Sequence, residues 1–139
     1  MTCELCELAA PTVYRDDRLS IIMVDDAAYP GFCRVIWNAH VKEMSDLAAP
    51  ERAHVHEAVH QVELALRGVM QPAKINLASL GNMVPHVHWH VIPRFVDDSH
   101  FPKPVWTDAV RPAVRKPLPA DFVPLLAARL AAHFDASRA

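Results

Sequence analysis

The segment from His86 to Ile92 alternates histidine with apolar residues, and this alternation constrains the fold more than any other feature of the chain. Side chains of a β-strand point alternately to its two faces. Three histidines therefore share one face and three apolar residues share the other: His86, His88 and His90 against Val87, Trp89 and Val91. The apolar face must pack inside, so the histidine face must line a cleft or bind a ligand.

The histidine row has several chemical uses. Neighbours on one face lie about 6.6 Å apart along a strand, so His86 and His90 are separated by about 13 Å. One metal ion cannot take all three imidazoles, although one or two of them can share an ion. A neutral imidazole is a nucleophile and a proton carrier near pH 7, and an imidazolium binds phosphate. The row therefore favours three separate roles: one histidine for orientation, one for nucleophilic attack and one for stabilising an anion. Three hydrogen-bonded histidines without a function are the alternative.

Short strands precede and follow a single long helix. Apolar and β-branched runs predict strands at Val13–Arg15, Leu19–Val24, Cys33–Trp37, Lys74–Leu80 and His86–Arg94. Valines and leucines at spacings of three and four residues predict a helix from Pro50 to about Gln71. Together these elements predict an α+β fold with an antiparallel sheet.

The last part of the chain divides into two segments. Five prolines between Phe101 and Pro119 argue against a helix or a central strand, so an extended surface arm is predicted over residues 100–119. A final helix is predicted from Asp121 to about His133, within residues 120–139, with an apolar face of Phe122, Leu125, Leu126, Leu130 and Phe134. A length of 139 residues fits one domain, 1–139, whose core with the histidines spans residues 1–99.

The charge balance and hydropathy exclude several classes of protein. The chain has 14 Lys and Arg against 16 Asp and Glu, so it lacks the basic surplus of a protein that binds a nucleic-acid duplex. It contains no apolar run of about 18 residues, which argues against a membrane partner. Its N-terminus does not resemble a secretory signal. Three cysteines are too few for a disulfide scaffold, and the expected compartment is the cytoplasm.

Cys3 and Cys6 have the two-residue spacing that lets both thiolates reach one tetrahedral ion. Such an ion needs two further ligands, and His40 and His86 are available. A redox pair and two inert thiols are the alternatives, although a redox pair is expected at a helix N-terminus, which is lacking here. Cys33 lies inside a predicted strand and is expected to be an ordinary buried thiol.

The histidine row and its surroundings resemble the histidine triad (HIT) family of nucleotide hydrolases and transferases, in particular the diadenosine polyphosphate hydrolases. The family pattern His-x-His-x-His followed by apolar residues is unbroken in this chain. The resemblance covers roughly residues 3–95 and extends to other stretches: Tyr29–Phe32, Val35–His40, Asp46–Leu47 with Glu51, Asn76, and Gly81–Pro85.

The resemblance implies a fold and a mechanism. The fold would have an antiparallel sheet of about five strands, one long helix and a C-terminal helix, with the sheets of two copies joined in a homodimer. His88 would attack the α-phosphate of a nucleotide and form a nucleotidyl-histidine, which water or another acceptor resolves. His90 would hold the non-bridging phosphate oxygens, and His86 would orient or support the nucleophile. The chemistry itself would need no cofactor.

The resemblance also implies binding residues. Asn76 and Asn82 would add amide donors to the phosphate, with Met83 in the same stretch, and Asp25 would contact the ribose. For Asp25 a plain turn residue is an equally weighted interpretation. Some family members hold a structural zinc with residues that match Cys3, Cys6, His40 and His86.

Three residues of the chain depart from the family pattern. Asn82 replaces the usual Gln, Met83 replaces the usual Ser or Thr, and Pro85 replaces a larger residue. A thioether cannot donate a proton to a leaving group. The departure at Met83 therefore predicts weaker cleavage of phosphoramidates than of anhydrides, relative to family members with a hydroxyl.

Other residues have open alternatives. Arg94 would contact a phosphate or a neighbouring carboxylate. Trp106 would stack on a base, close a subunit contact or pack as an ordinary aromatic residue. His56 and His60 are spaced four residues apart, but a solvated helix face is favoured over a metal site.

The leading functional hypothesis is an enzyme that cleaves nucleoside 5′-phosphate derivatives, either dinucleoside polyphosphates or adenylated small molecules, through His88. A nucleotide-binding sensor or adaptor with weak turnover is one alternative. A zinc-dependent hydrolase, in which the histidines hold a catalytic ion, is the other. Turnover separates the enzyme from the sensor, and treatment with a chelator separates the two enzymatic mechanisms.

Overall fold

A computed structural model of the chain describes residues 3–138, with the backbone alone for residues 136–138. Five strands form one antiparallel sheet in the order β1-β2-β3-β5-β4, which confirms the predicted α+β fold. The elements are β1 Thr12–Arg15, β2 Leu19–Met23, β3 Cys33–Trp37, α1 Ala49–Met70, β4 Lys74–Ala78, β5 His88–Arg94 and α2 Phe122–Arg138. No helix in the described part of the chain is long and apolar enough to cross a membrane.

The central strands pair in a register that separates two faces of the sheet. Val35 on β3 lies opposite Trp89 on β5, and Arg34 lies opposite His90. The face with Val35 packs against α1, whereas no helix of residues 3–138 covers the face with His90, which is called the histidine face below. The two open edges of the sheet are β1 and β4. Pairing of two copies into a homodimer stays a prediction.

The strand of the histidines begins at His88, not at His86 as the alternation predicts. Val87 donates its N–H to the carbonyl of Val41, and the His86 ring is held by the Trp37 carbonyl and two cysteines. Val87 still accepts from the N–H of Trp37 on β3, but the N–H of His86 donates to the carbonyl of Val84 in its own loop, so the strand ladder does not continue back to His86. His86 therefore belongs to the loop that enters the strand.

Both helices bury a row of apolar side chains. Helix α1 places Val55, Val62 and Leu66 in the core, and Glu51 accepts the backbone N–H of Ala48 at its start (2.7 Å). Helix α2 packs on β1 and α1 through Phe122, Leu126, Leu130 and Phe134, which recur every four residues. Leu125 was expected in this row, but it is 56% exposed because one residue is a turn of about 100° around the helix. The helix also extends past the predicted end near His133, and Ala139 lies outside the described residues.

The predicted arm over residues 100–119 contains no helix or strand, as expected from its prolines, and a buried ion pair fixes its start. Arg94 donates to both carboxylate oxygens of Asp98 (2.8 and 3.1 Å), and their side chains are 2% and 5% exposed. Arg94 also donates to the carbonyl of Lys103 (2.7 Å). Of the two alternatives for Arg94, the structure shows the contact with a neighbouring carboxylate.

Asp98 is also the acceptor that organises the turn after β5. Its carboxylate accepts the backbone N–H groups of Phe95, His100 and Phe101. Burial opposes ionisation of Asp98, but the hydrogen bonds from Arg94 and from these backbone groups outweigh burial and hold the pKa well below its usual range. The carboxylate of Asp98 is therefore ionised in the folded protein at neutral pH.

Asp98→Asn should lower the free energy of unfolding at pH 7 by roughly 3 kcal/mol, because it leaves the buried Arg94 charge without a countercharge. The low pKa of folded Asp98 adds stability that is complete above the unfolded pKa of about 3.9 and is lost as pH falls toward the folded pKa. Urea unfolding between pH 7 and pH 2 should show a weaker loss in acid for the variant than for the wild type.

Asp97→Asn is the matched control for this prediction. Asp97 pairs with Lys116 at 2.8 Å, but the two side chains are 46% and 28% exposed, so solvent screens the pair. We expect a much smaller change in stability from this substitution. Equal effects of the two variants would show that the Arg94–Asp98 pair does not stabilise the fold.

Candidate functional site

A cavity of about 410 Å³ lies on the histidine face, between the sheet and the loop before β5. His88 and His90 form its floor and are 8% and 4% exposed. The lining residues are Glu4, Leu5, Arg34, Leu80, Gly81, Asn82, Met83, Val84, His88, His90 and Trp106. The cavity therefore combines two of the three predicted histidines with the loop 80–84 and one aromatic residue of the arm.

His88 has a defined tautomer. Its Nδ1 lies 2.6 Å from the backbone carbonyl of His86, and a carbonyl oxygen only accepts, so Nδ1 carries the proton and donates it. The carbonyl of His88 itself accepts from the hydroxyl of Ser79 (2.7 Å), which holds the backbone in place. In the neutral imidazole the lone pair of His88 therefore lies on Nε2, which is the nitrogen that can act as a nucleophile.

His90 is a buried, uncharged imidazole at neutral pH. Burial is the main cause that lowers its pKa to about 4, with smaller contributions from His88 and from the positive charge of Arg34. Its Nδ1 is buried and has no hydrogen-bond partner among the described residues. The Trp106 ring packs edge-on against it, with ring centroids 4.9 Å apart. A buried donor or acceptor without a partner is costly, so His90 is well placed to bind a ligand oxygen.

His86 lies away from this cavity, in a cluster with Cys3, Cys6 and His40. Its Nδ1 lies 3.4 Å from Cys3 Sγ and 3.5 Å from Cys6 Sγ, and His40 Nδ1 lies 3.4 Å from Cys6 Sγ. All four ligand atoms lie within 4.8 Å of one another. Ligand atoms around a tetrahedral zinc are separated by about 3.3–3.8 Å, given Zn–N and Zn–S bonds of 2.0–2.3 Å.

The donor set of this cluster fits a structural zinc ion. Nε2 of His86 donates to the carbonyl of Trp37, so the lone pair of His86 lies on Nδ1, which faces the two sulfurs. Two thiolates and two imidazoles form one of the common closed donor sets of structural zinc. Both ring nitrogens of His86 have partners, so its contribution to the cavity is through its carbonyl, which orients His88.

The other predicted binding residues lie in different places. Asn82 and Met83 line the cavity, and Met83 is 94% exposed. Asn76 lines a neighbouring cavity that shares Trp106, and its Oδ1 accepts from Arg94 (2.7 Å). Asp25 is exposed and is not among the lining residues of either cavity. The structure thus brings Asn82 and Met83 to the histidines. The contact of Asp25 with a ribose stays a prediction.

The sequence did not indicate a role for Arg34 in the cavity, and it left the role of Trp106 open. Arg34 lines the cavity, although its strand was interpreted only as apolar. The signal was present, because period-two alternation places Arg34 on the opposite face from Cys33 and Val35. Trp106 is 48% exposed and packs edge-on against His90, as the packed-aromatic alternative expects, while stacking on a base and a subunit contact stay predictions. Its position depends on the path of the arm, which has no periodicity to indicate it.

Solved structures with the same fold come from several bacteria. A histidine triad (HIT) protein of Sinorhizobium meliloti 1021 matches with 25% identity and a TM-score of 0.71 over 95% of each chain. A histidine triad protein of Bradyrhizobium japonicum matches with 26% identity and a TM-score of 0.68 over 88% of each chain. A Zn-bound histidine triad family protein of Mycobacterium smegmatis has 23% identity and a TM-score of 0.63 over 98% of each chain.

No curated protein sequence matches the chain significantly. The finer likeness to diadenosine polyphosphate hydrolases therefore stays a prediction. The model of the HIT domain family matches residues 6–97, which is more than half of the chain and includes all three histidines. By this match and by its fold, the chain belongs to the HIT domain family.

Proposed function

We propose that this protein is a nucleotide hydrolase or nucleotidyltransferase that cleaves nucleoside 5′-phosphate derivatives through a covalent intermediate on His88. The observation that carries the proposal is the hydrogen bond from His88 Nδ1 to the His86 carbonyl, because it leaves Nε2 as the nucleophilic nitrogen. Dinucleoside polyphosphates and adenylated small molecules are the proposed substrate classes. Membership in a family of nucleotide hydrolases and transferases supports the proposal.

The chemistry would proceed in two steps. Nε2 of His88 attacks the α-phosphorus, the N–P bond forms, and the bond to the leaving group breaks with its electron pair on that group. The imidazole ring gains a positive charge, and its Nδ1–H donates to the His86 carbonyl throughout. Water then attacks the phosphorus and loses a proton to solvent, while the N–P bond breaks with its electron pair on Nε2. This step releases a nucleoside monophosphate and neutral His88.

The cavity supplies donors for the charge that develops on phosphate. His90 and the side-chain amide of Asn82 are assigned to the non-bridging oxygens, because both line the cavity beside His88. Preorganised donors of this kind stabilise the transition state more than the ground state. Asn76 is kept as a further amide donor to the phosphate: its Oδ1 accepts from Arg94, so its Nδ2 is the atom that would donate, although Asn76 lines the adjacent cavity.

His88→Asn should lower the hydrolysis rate of dinucleoside polyphosphate by at least ~10³-fold while nucleotide still binds, because it removes the covalent route. The rate is measured under single turnover, and binding is measured by calorimetry. His60→Ala is the control, because His60 is an exposed histidine of α1. Near-normal turnover of a folded His88→Ala protein would refute the mechanism. Binding without turnover in the wild type would favour the sensor.

We also propose that Cys3, Cys6, His40 and His86 hold a structural zinc ion. The donor atoms fit a closed tetrahedral site, and a bound ion would tie the N-terminal segment to the loop that carries His86. The zinc-bound relative from Mycobacterium smegmatis is consistent with this assignment. No step of the proposed chemistry uses the ion.

Elemental analysis of purified protein should find about one zinc per chain, and Cys3→Ser with Cys6→Ser should abolish it. The double variant should lose thermal stability more than it loses the rate of the chemical step. Cys33→Ala is the control: Cys33 is fully buried in β3, its pKa is raised to about 12 by burial, and zinc content should not change. Full zinc content in the double variant would show that these cysteines are not ligands.

Met83→Ser should raise phosphoramidate cleavage by ~10-fold relative to anhydride cleavage, because a departing amine needs a proton that a thioether cannot give. Met83 is exposed at the cavity, so it has no packing role on the sheet to lose. Met83→Ala separates the hydroxyl from the loss of bulk and should leave the ratio of the two activities unchanged. If Met83→Ser has the same ratio of phosphoramidate to anhydride cleavage as the wild type, the proton comes from another source, such as water.

A further inference from the structure

We infer that Arg34 is an anion-binding residue that selects nucleotides with a second charged group beyond the α-phosphate. The second group would be a phosphate or another anion attached to the α-phosphate. The inference deepens the proposed function and rests on it, since the same cavity binds the nucleotide. Four features of Arg34 support it. They are its register on the sheet, the absence of an ion-pair partner among the described residues, its positive charge in the cavity, and the length of its side chain.

The register of the sheet places Arg34 beside the catalytic histidines. Arg34 on β3 lies directly opposite His90 on β5, while Ile36 lies opposite His88. Directly opposite residues have Cβ atoms about 5 Å apart, and diagonal neighbours such as Arg34 and His88 lie roughly 7–8 Å apart. The first distance is shorter than an arginine side chain, and the second is comparable with its length. The guanidinium therefore belongs to the same cavity wall as the two imidazoles.

Arg34 has no countercharge in the described part of the chain. No acidic side chain among the described residues forms an ion pair with it, and its Nε is buried without a hydrogen-bond partner. The guanidinium carbon lies 5.9 Å from the ring centroid of Phe32, which is a weak substitute for an anion. A half-buried cation with an unpartnered N–H is costly unless a ligand completes it.

The charge of the cavity points to an anionic ligand at Arg34. Arg34 is the only Arg or Lys among the residues that line the cavity. His90 is uncharged at neutral pH, so it contributes a hydrogen bond but no permanent charge. Glu4 also lines the cavity, but it is exposed and does not form an ion pair with Arg34. The permanent positive charge available to a bound phosphate is therefore the guanidinium.

In the proposed mechanism His88 attacks the α-phosphate and His90 binds its non-bridging oxygens. Because Arg34 lies opposite His90 and lines the same cavity, we place its guanidinium against an oxygen of the next group along the substrate. Arginine binds phosphate through two parallel N–H···O bonds, which gives both charge and orientation. We therefore assign Arg34 to the leaving group, and this assignment favours phosphate-like over neutral leaving groups.

Calorimetric binding of AMP and of its α,β-methylene diphosphate analogue tests the inference without turnover, since the methylene bridge resists cleavage. Both ligands share base and ribose, so any base preference cancels in the ratio of their affinities. The diphosphate analogue should bind the wild type about 10- to 100-fold more tightly than AMP, which is the range for hydrogen bonds to charged groups. Arg34→Gln should remove this preference, and Arg34→Lys should retain part of it.

Two controls accompany the measurement. Arg15→Gln removes the same charge from an exposed position on β1 and should keep the full preference. Glu4→Gln tests whether Arg34 instead pairs with Glu4, because loss of such a partner would free the guanidinium and increase the preference. An unchanged preference in that variant supports the assignment, and a marked increase would overturn the absence of a countercharge. Circular dichroism checks that each variant is folded.

The outcomes separate this inference from the proposed function. Equal affinity of the wild type for both ligands, or no binding of either, overturns the role of Arg34. A preference that disappears in Arg34→Gln supports the role of Arg34 even if the protein shows no turnover, in which case the hydrolase proposal fails alone. With turnover, Arg34→Gln should slow cleavage of an adenylated phosphate at least ~10-fold more than cleavage of an adenosine phosphoramidate.

Discussion

His86 is the residue on which the arrangement of the site depends, because three of its polar groups are engaged in three different directions. Nδ1 lies against Cys3 and Cys6, and Nε2 donates to the Trp37 carbonyl at the end of β3. Its carbonyl accepts from His88 and fixes the tautomer of the nucleophile. The N-terminal cysteines, the sheet and the reacting nitrogen are therefore connected through one residue. The sequence pattern places this residue in the strand, but it lies in the loop before β5.

The arm after β5 completes the site from the other side. The buried pair of Arg94 and Asp98 fixes its start, and Arg111 donates to the carbonyls of Asp98 and Phe101 further along. These bonds hold a segment without regular structure in one path, and that path brings Trp106 to His90. The stability of the fold and the shape of the cavity are thus coupled, because Arg94, which anchors the arm, is itself a residue of β5.

Much of the fold was predictable because periodicity is a local property. The strand Cys33–Trp37 has the predicted bounds, and α1 differs from its predicted bounds by one residue at each end. The start of β5 was not predictable from alternation, because contacts with the distant Trp37, Cys3 and Cys6 decide it. The grouping of those cysteines with two histidines followed from a family resemblance and not from spacing alone. The pairing of Arg94 with Asp98 was open because the path of the arm has no periodic signal.

Arg34 shows why a triad cavity gains from a permanent charge. The proposed nucleophile must be neutral to attack, and burial, with a smaller contribution from the nearby charge of Arg34, also keeps His90 neutral. A guanidinium one strand away supplies positive charge to the phosphate while burial keeps His90 neutral. Its charge does not change near neutral pH, so anion binding and nucleophilicity are assigned to different residues. In this division the histidines keep their lone pairs for chemistry and hydrogen bonding, and the arginine provides the attraction for the substrate.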